Sequence, residues 1–375
     1  MKTRKQSCKP LLITAAAFIL AAVVSVAVYK ITENFPVWIT ENYSHKAFNI
    51  ITMPLKQLTG LFSFSVAELI LIMLVFYAVA ALILSIILVI VRLVKRKGRP
   101  FMPLIRFICI ILILACIALS AFIWQGGLNY NGLTLAEQLK YPDDNYSAAQ
   151  LYEMTAHFLT QAGSIREGLN EAEDGSLLYP GDFSQMCDAA LSAYESLPEK
   201  FSDVLADGYF TKAKPAAGSI IMCYTNITGI YPYILPEPII NDMTPDSSKL
   251  STVCHEMAHQ RSVAREDEAN FIAVEACIYS EDPYFQYSGY FLAILHCLNS
   301  LYSVNRPMWE DAWKIMPDAV RRDINSSNLF WQQFETPVAE VSEKVNDVYL
   351  QANNIKDGVD SYGRLVDLLL ADYYS

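Results

Sequence analysis

Three long apolar runs occupy the first third of this chain and limit what it can become. Leu11–Tyr29 is uncharged over 19 residues, Leu69–Val91 over 23 and Phe107–Trp124 over 18. A helix needs about 20 apolar residues to cross the hydrocarbon core, where the backbone must satisfy its own hydrogen bonds. Three membrane helices are therefore predicted, at about 11–29, 66–91 and 104–124. With 53% hydrophobic and only 18% charged residues, the chain is too apolar to be wholly water-soluble. The first run follows the basic start Met1-Lys2-Thr3-Arg4-Lys5, as a signal peptide would. It exceeds the ~7–15 residues of a signal core and no small-x-small cleavage site follows, so it reads as a retained anchor.

Charge sets the expected orientation. Residues 1–125 carry 13 Lys/Arg against 3 Asp/Glu, whereas the remainder carries 15 against 36. The tail holds Lys2, Arg4, Lys5 and Lys9, and the link between the second and third runs holds Arg92, Lys95, Arg96, Lys97, Arg99 and Arg106 with no acid. The loop at residues 30–65 has three Lys against two Glu. Basic segments stay in the cytoplasm, which predicts a cytoplasmic N-terminus, a multi-pass protein of the plasma membrane and an extracytoplasmic C-terminal part. A membrane region, 1–125, would then carry a domain, 126–375. The strongly acidic domain would repel phosphate backbones, so the expected partners are a lipid bilayer and a peptide or protein substrate, not nucleic acid.

The predicted fold class is mainly α (α+β): a largely helical domain with a small strand region. Helical spacing covers Ser147–Glu167 and Asp182–Leu197. Lys212–Asn241, including Ser219–Tyr224 and Ile230–Ile234, reads as short strands or extended segments broken by turns, with Pro232, Pro236 and Pro238 confining them to edges. Helix resumes near Ser248, and Pro245, Pro283, Pro307, Pro317 and Pro337 mark boundaries. Tyr284–Tyr302 is uncharged but contains Gln286, His296 and Asn299, which suits a buried core helix better than a fourth span. Cys187, Cys223, Cys254, Cys277 and Cys297 match no CxxC metal cluster and read as buried small side chains.

One motif carries chemistry: His255-Glu256-Met257-Ala258-His259, an H-E-x-x-H on the predicted helix Leu250–Gln260. Imidazoles four residues apart project from one face and can share one Zn²⁺. Glu256 sits beside the first of them and is placed to take a proton from water that zinc has acidified. A third protein ligand is needed. The metzincin option fails, because Arg265 occupies the position where that pattern has a histidine. On the next helix, Ala264–Tyr279, Glu266, Asn270, Ala273 and Cys277 form one stripe, and Glu268, Ile272, Glu275 and Tyr279 another. If the first stripe packs on the motif helix, Glu266 is the ligand and Asn270 supports His255; if the second does, the ligand is Glu268. Ile227–Asn241 is the candidate edge for an extended substrate. Tyr290 or Tyr287 is the candidate oxyanion donor, and His45, His157 and His296, each among apolar or aromatic neighbours, are read as non-ligands.

The run His255-Glu-Met-Ala-His-Gln-Arg-Ser-Val-Ala-Arg-Glu-Asp-Glu-Ala-Asn-Phe271 resembles the signature of the DUF3810 family, membrane zinc metallopeptidases of bacteria by expectation. Glu266-x-x-Ala269-Asn270 is also similar to the Glu-x-x-Ala-Asp/Asn element of gluzincin-type peptidases, in which the first Glu binds zinc. The resemblance thus implies a zincin-like domain and favours Glu266 over Glu268. It departs at Ser262, where Gly is expected after the motif helix. These features together predict a membrane-anchored zinc peptidase, with a zinc-binding sensor of little proteolytic activity as the alternative.

Overall fold

The computed structural model describes residues 9–142, 146–353 and 364–375; Lys2, Arg4 and Lys5 lie outside the described residues. The first apolar run is helix α1 (Lys9–Thr32). What the sequence predicts as a loop between the first two runs is instead helical: α2 (Pro36–Trp38), a π-helical stretch (Ile39–Ala47) and α3 (Phe48–Gly60). The second and third runs are α4 (Val66–Val94) and α5 (Met102–Gln125).

At 1.5 Å per residue, α1, α4 and α5 are about 36, 43 and 36 Å long, each enough for a bilayer core of about 30 Å. All three are long and apolar enough to cross a membrane. Side chains such as Phe76 and Val94 on α4 are more than three-quarters exposed. Leaving a large apolar side chain in water rather than burying it forgoes about 1.5–3 kcal/mol, so surfaces of this kind belong in lipid and mark a membrane-anchored protein.

The rest is mostly helical. A 3₁₀ turn (Gly127–Asn131) leads to α6 (Leu135–Leu139), α7 (Ala148–Arg166), α8 (Phe183–Glu195) and α9 (Glu199–Ser202). Then come β1 (Lys214–Pro215), α10 (Ser219–Tyr224), β2 (Gly229–Ile230) and β3 (Ile239–Ile240). The chain closes with α11 (Asp246–His259), α12 (Glu266–Ile278), α13 (Pro283–Val304), α14 (Arg306–Ile315), α15 (Asp318–Gln332), α16 (Pro337–Ala352) and α17 (Arg364–Tyr373). The five boundary prolines fall where expected: Pro283, Pro307 and Pro337 in first turns, and Pro245 and Pro317 just before α11 and α15. Proline is tolerated there because the missing N–H has no helical partner to lose.

Helices α7, α11, α12 and α13 pack on one another around the main core. Helix α13 is the uncharged run Tyr284–Tyr302, and Phe285, Tyr287, Phe291, Ile294 and Cys297 on it are fully buried. The five cysteines of this part are buried and free, as expected. The strand region is smaller than the sequence suggests. β3 lies between β1, parallel to it, and β2, antiparallel to it. Ser219–Tyr224, read as strand from its isoleucines, is a helix. Its entry is held by Glu68, whose carboxylate accepts from the N–H of Ala217 (3.0 Å) and Gly218 (2.9 Å), and such tertiary anchoring overrides a weak strand propensity.

One buried ion pair joins α4 to the strands. Lys214 on β1 donates to Glu237, with 4% and 0% of the two side chains exposed. Glu237 Oε1 also accepts from Ser65 Oγ (2.8 Å) and Ala67 N (2.7 Å), capping α4, while Lys214 Nζ donates to the Thr59 carbonyl (2.7 Å). Removing one member of such a pair strands the other's charge, typically at a cost of about 3–5 kcal/mol. Glu237→Ala is therefore expected to lower the thermal unfolding midpoint of the detergent-purified protein by several degrees. An unchanged midpoint would contradict this role.

Candidate metal centre

The motif helix α11 is buried on the face formed by Val253, Cys254, Met257 and Ala258, none of which is measurably exposed. The opposite register sends His255 and His259 toward the first turn of α12, with ring centroids 4.8 Å apart. Glu266 meets both: its Oε2 lies 3.1 Å from His255 Nε2 and its Oε1 3.7 Å from His259 Nε2. One donor atom from each of the three residues fits within a 4.8 Å cluster.

The remaining imidazole nitrogens are fixed from behind. His255 Nδ1 is 2.8 Å from Asn270 Oδ1, one turn beyond Glu266, and His259 Nδ1 is 2.7 Å from the Val263 carbonyl. A carbonyl oxygen only accepts, so His259 Nδ1 carries the proton and Nε2 offers its lone pair to the cluster. Burial lowers the pKa of His259 to about 4, keeping it neutral. Burial opposes charge on His255 too, but the hydrogen bond and charge of Glu266, helped by Glu256, lift it to about 9. Glu266 is likewise desolvated, yet the His255 hydrogen bond and both imidazoles pull it down to about 2.

The connection between the helices is tight and heavily braced. Gln260 Oε1 accepts from Thr211 N (2.9 Å), and buried Lys56 on α3 donates to the Gln260 carbonyl (3.0 Å). The Arg261 guanidinium is held between Tyr194 and Phe210, 3.6 and 4.0 Å from their ring centres. Ser262 then adopts φ +72°, the left-handed conformation for which glycine is expected at this position. Serine meets the turn's requirement at a strain of roughly 1–2 kcal/mol. This turn places the Val263 carbonyl against His259.

Glu256 is 4% exposed, and its Oε2 has no hydrogen-bond partner among the described residues. Burial, less the pull of His255, raises its pKa to about 8. Gly229 on β2 lies directly above it: a Cβ at that position would come within 2.5 Å of Glu256 Oε1. Glycine lets the edge strand pass this close without displacing the Glu256 carboxylate. Two histidines with oriented Nε2 atoms, a converging carboxylate and an orphaned buried carboxylate oxygen form a set that suits a divalent metal with an adjacent base.

Two expectations are corrected. Glu268 does not reach the cluster; it accepts from Leu135 N (2.8 Å) and pairs with Arg265 (3.3 Å). Two residues along a helix turn the side chain about 200°, so Glu266 and Glu268 face apart. Tyr290 and Tyr287 are not at the cluster either. Tyr290 packs on Phe158 near Glu275, and Glu275 lies nine residues, about 13 Å of helix, beyond Glu266. Tyr287 donates to Asp323 (2.5 Å) inside the core. The tyrosines that do stand here are Tyr231 and Tyr233, 6.2 and 6.3 Å from the His259 ring, and Tyr349, whose hydroxyl meets that of Tyr130 (3.2 Å) and feels the charge of Glu266. With 22 tyrosines in the chain, only the pattern Tyr231-Pro-Tyr233 just ahead of the motif helix could have singled any of them out. His157 packs against Phe158 and Tyr373, and neither it, His45 nor His296 belongs to the cluster.

The chain belongs to the DUF3810 family: that family's model, described as a protein of unknown function, matches residues 43–370. No curated protein and no solved structure matches it.

Titration with Zn²⁺ is expected to show one equivalent bound per chain, lost in His255→Ala, His259→Ala and Glu266→Gln but kept in Glu268→Gln. Asn270→Ala should weaken chelator-measured affinity about 10–100-fold. Full binding by Glu266→Gln would overturn the ligand set. At the turn, Ser262→Gly should bind metal as the parent does, whereas Ser262→Val, β-branched in a left-handed conformation, should lower both stability and affinity.

Proposed function

We propose that this is a zinc-dependent peptidase anchored by three membrane-crossing helices, with His255, His259 and Glu266 holding the metal and Glu256 acting as general base. The observation that carries the reading is the buried Glu256 carboxylate, with one oxygen unpartnered, beside the His/His/Glu cluster and beneath an edge strand. A His₂Glu donor set is one of the arrangements that catalytic zinc uses. Bound there, zinc would supply Lewis acidity, polarising a scissile carbonyl and making water easier to deprotonate.

The chain's own residues supply the rest. The raised pKa of Glu256 makes its carboxylate a better base than an exposed one, so it can take a proton from the attacking water and return it to the departing amine. Asn270 and the Val263 carbonyl hold the two imidazoles in register. The outer edge of β2, across from its pairing with β3, is available to receive an extended peptide by backbone hydrogen bonds. In this reading the helical body is zincin-like, with α11, α12 and β2 as its working parts. Tyr349 replaces Tyr290 as the candidate donor to a developing oxyanion. The membrane is then the plasma membrane, and the basic link Arg92–Arg99 supports an orientation with that link in the cytoplasm and the helical body outside.

Glu256→Gln is expected to bind zinc normally while lowering hydrolysis of a peptide library by about 10²–10⁴-fold. Retained hydrolysis would remove Glu256 as the base. Stoichiometric zinc with no cleavage by the parent protein would assign a zinc-holding sensor instead.

A further inference from the structure

The cluster sits on the ends of the membrane helices. The His259 ring is 6.3 Å from Tyr233, and Tyr233 is 6.0 Å from Phe122, in the last turn of α5. Tyr231 and Tyr233 belong to one buried cluster with Tyr29, near the end of α1, and Ile123 of α5. Gly126, the first residue after α5, is overlain so closely by the Tyr233 ring that a Cβ would fall within 1.9 Å of it. From the other side, the start of α4 is bonded to the strand region through Glu68 and Glu237.

The end of α1, the start of α4 and the end of α5 are the three termini that a chain crossing three times puts on one face of the membrane. All three converge beneath the metal cluster and the edge strand. Two ring-to-ring steps place His259 no more than about 12 Å from Phe122, so the cluster stands at or just above a headgroup layer of roughly 5–7 Å rather than far out in water. Two apolar side chains of this region are exposed: Ile230 on β2 by 46%, and Ile221 on α10, whose entry is tethered to α4 by Glu68, by 67%.

From this placement, and resting on the peptidase reading above, we infer that the substrate is a membrane-anchored polypeptide, cut in the extended stretch where it leaves the bilayer. A peptide seated along β2 lies at or just above the headgroup layer, with the exposed Ile230 and Ile221 able to meet apolar side chains or acyl chains. A segment held at that level by its own anchor meets the site at high effective concentration, while a free peptide must first partition to the surface.

The test uses the full-length protein with zinc in phosphatidylcholine vesicles. Reporter polypeptides carry one membrane helix and the same cleavable stretch, set either about 5 residues from the bilayer or beyond a stiff proline-rich spacer of about 30 residues, roughly 90 Å. Cleavage is expected to be at least about 10-fold faster near the membrane, and the difference should vanish in detergent; equal rates in vesicles would overturn the inference. A second readout needs no catalysis. Ile221→Cys carries a fluorophore, the native cysteines among the described residues being buried. Strong quenching by headgroup-spin-labelled lipid is expected, and no quenching would overturn the placement. Quenching without cleavage of either reporter would overturn the peptidase reading, and the substrate with it, while confirming where the site sits.

Discussion

Everything chemical in this protein depends on the five-residue reversal between His259 and Arg265. A helix delivers two imidazoles on one face at no special cost, but the converging carboxylate must come from elsewhere in the chain. Bringing Glu266 beneath the rings within so few residues forces Ser262 into the left-handed region. The same turn points the Val263 carbonyl back at His259. Gln260, Arg261 and Lys56 brace it from the strand side and from α3, so a strained conformation is held by neighbours that leave it no alternative.

The electrostatics follow from that geometry. Two carboxylates and two imidazoles share a pocket from which water is largely excluded, and each buried charge there costs several kcal/mol unless compensated. His255 and Glu266 compensate each other and are pushed to opposite extremes, while His259 stays neutral and Glu256 is driven upward by burial. Such a spread among four neighbouring side chains on two helices matches what a cation site with an adjacent base requires. It also gives Gly229 a role, since a Cβ there would come within 2.5 Å of the Glu256 carboxylate and push it from its place.

Much of this was legible in the residues alone. The apolar runs named the three long helices, and the i, i+4 histidines named the shared face. Helical periodicity, fixed by backbone geometry, put Glu266 and Asn270 on one stripe and Glu268 on another; which stripe faces the motif helix is a tertiary matter that periodicity leaves open. What was not legible depends on tertiary contact. Nothing local marks Phe48–Gly60 as a helix that braces the motif, or Ser219–Tyr224 as a helix entered through the Glu68 carboxylate. Tyr290, on α13, packs near Glu275, two and a half turns of α12 away from Glu266, whereas Tyr233 reaches the site by packing across the end of a membrane helix.

The central claim is that two imidazoles and one carboxylate grip a single metal ion. The most direct measurement is anomalous scattering at the zinc edge from crystals of the zinc-loaded protein. One strong peak is expected about 2.0–2.2 Å from Nε2 of His255, Nε2 of His259 and a carboxylate oxygen of Glu266, with Glu256 alongside but not coordinating. A peak elsewhere, or none at this cluster under saturating zinc, would contradict it.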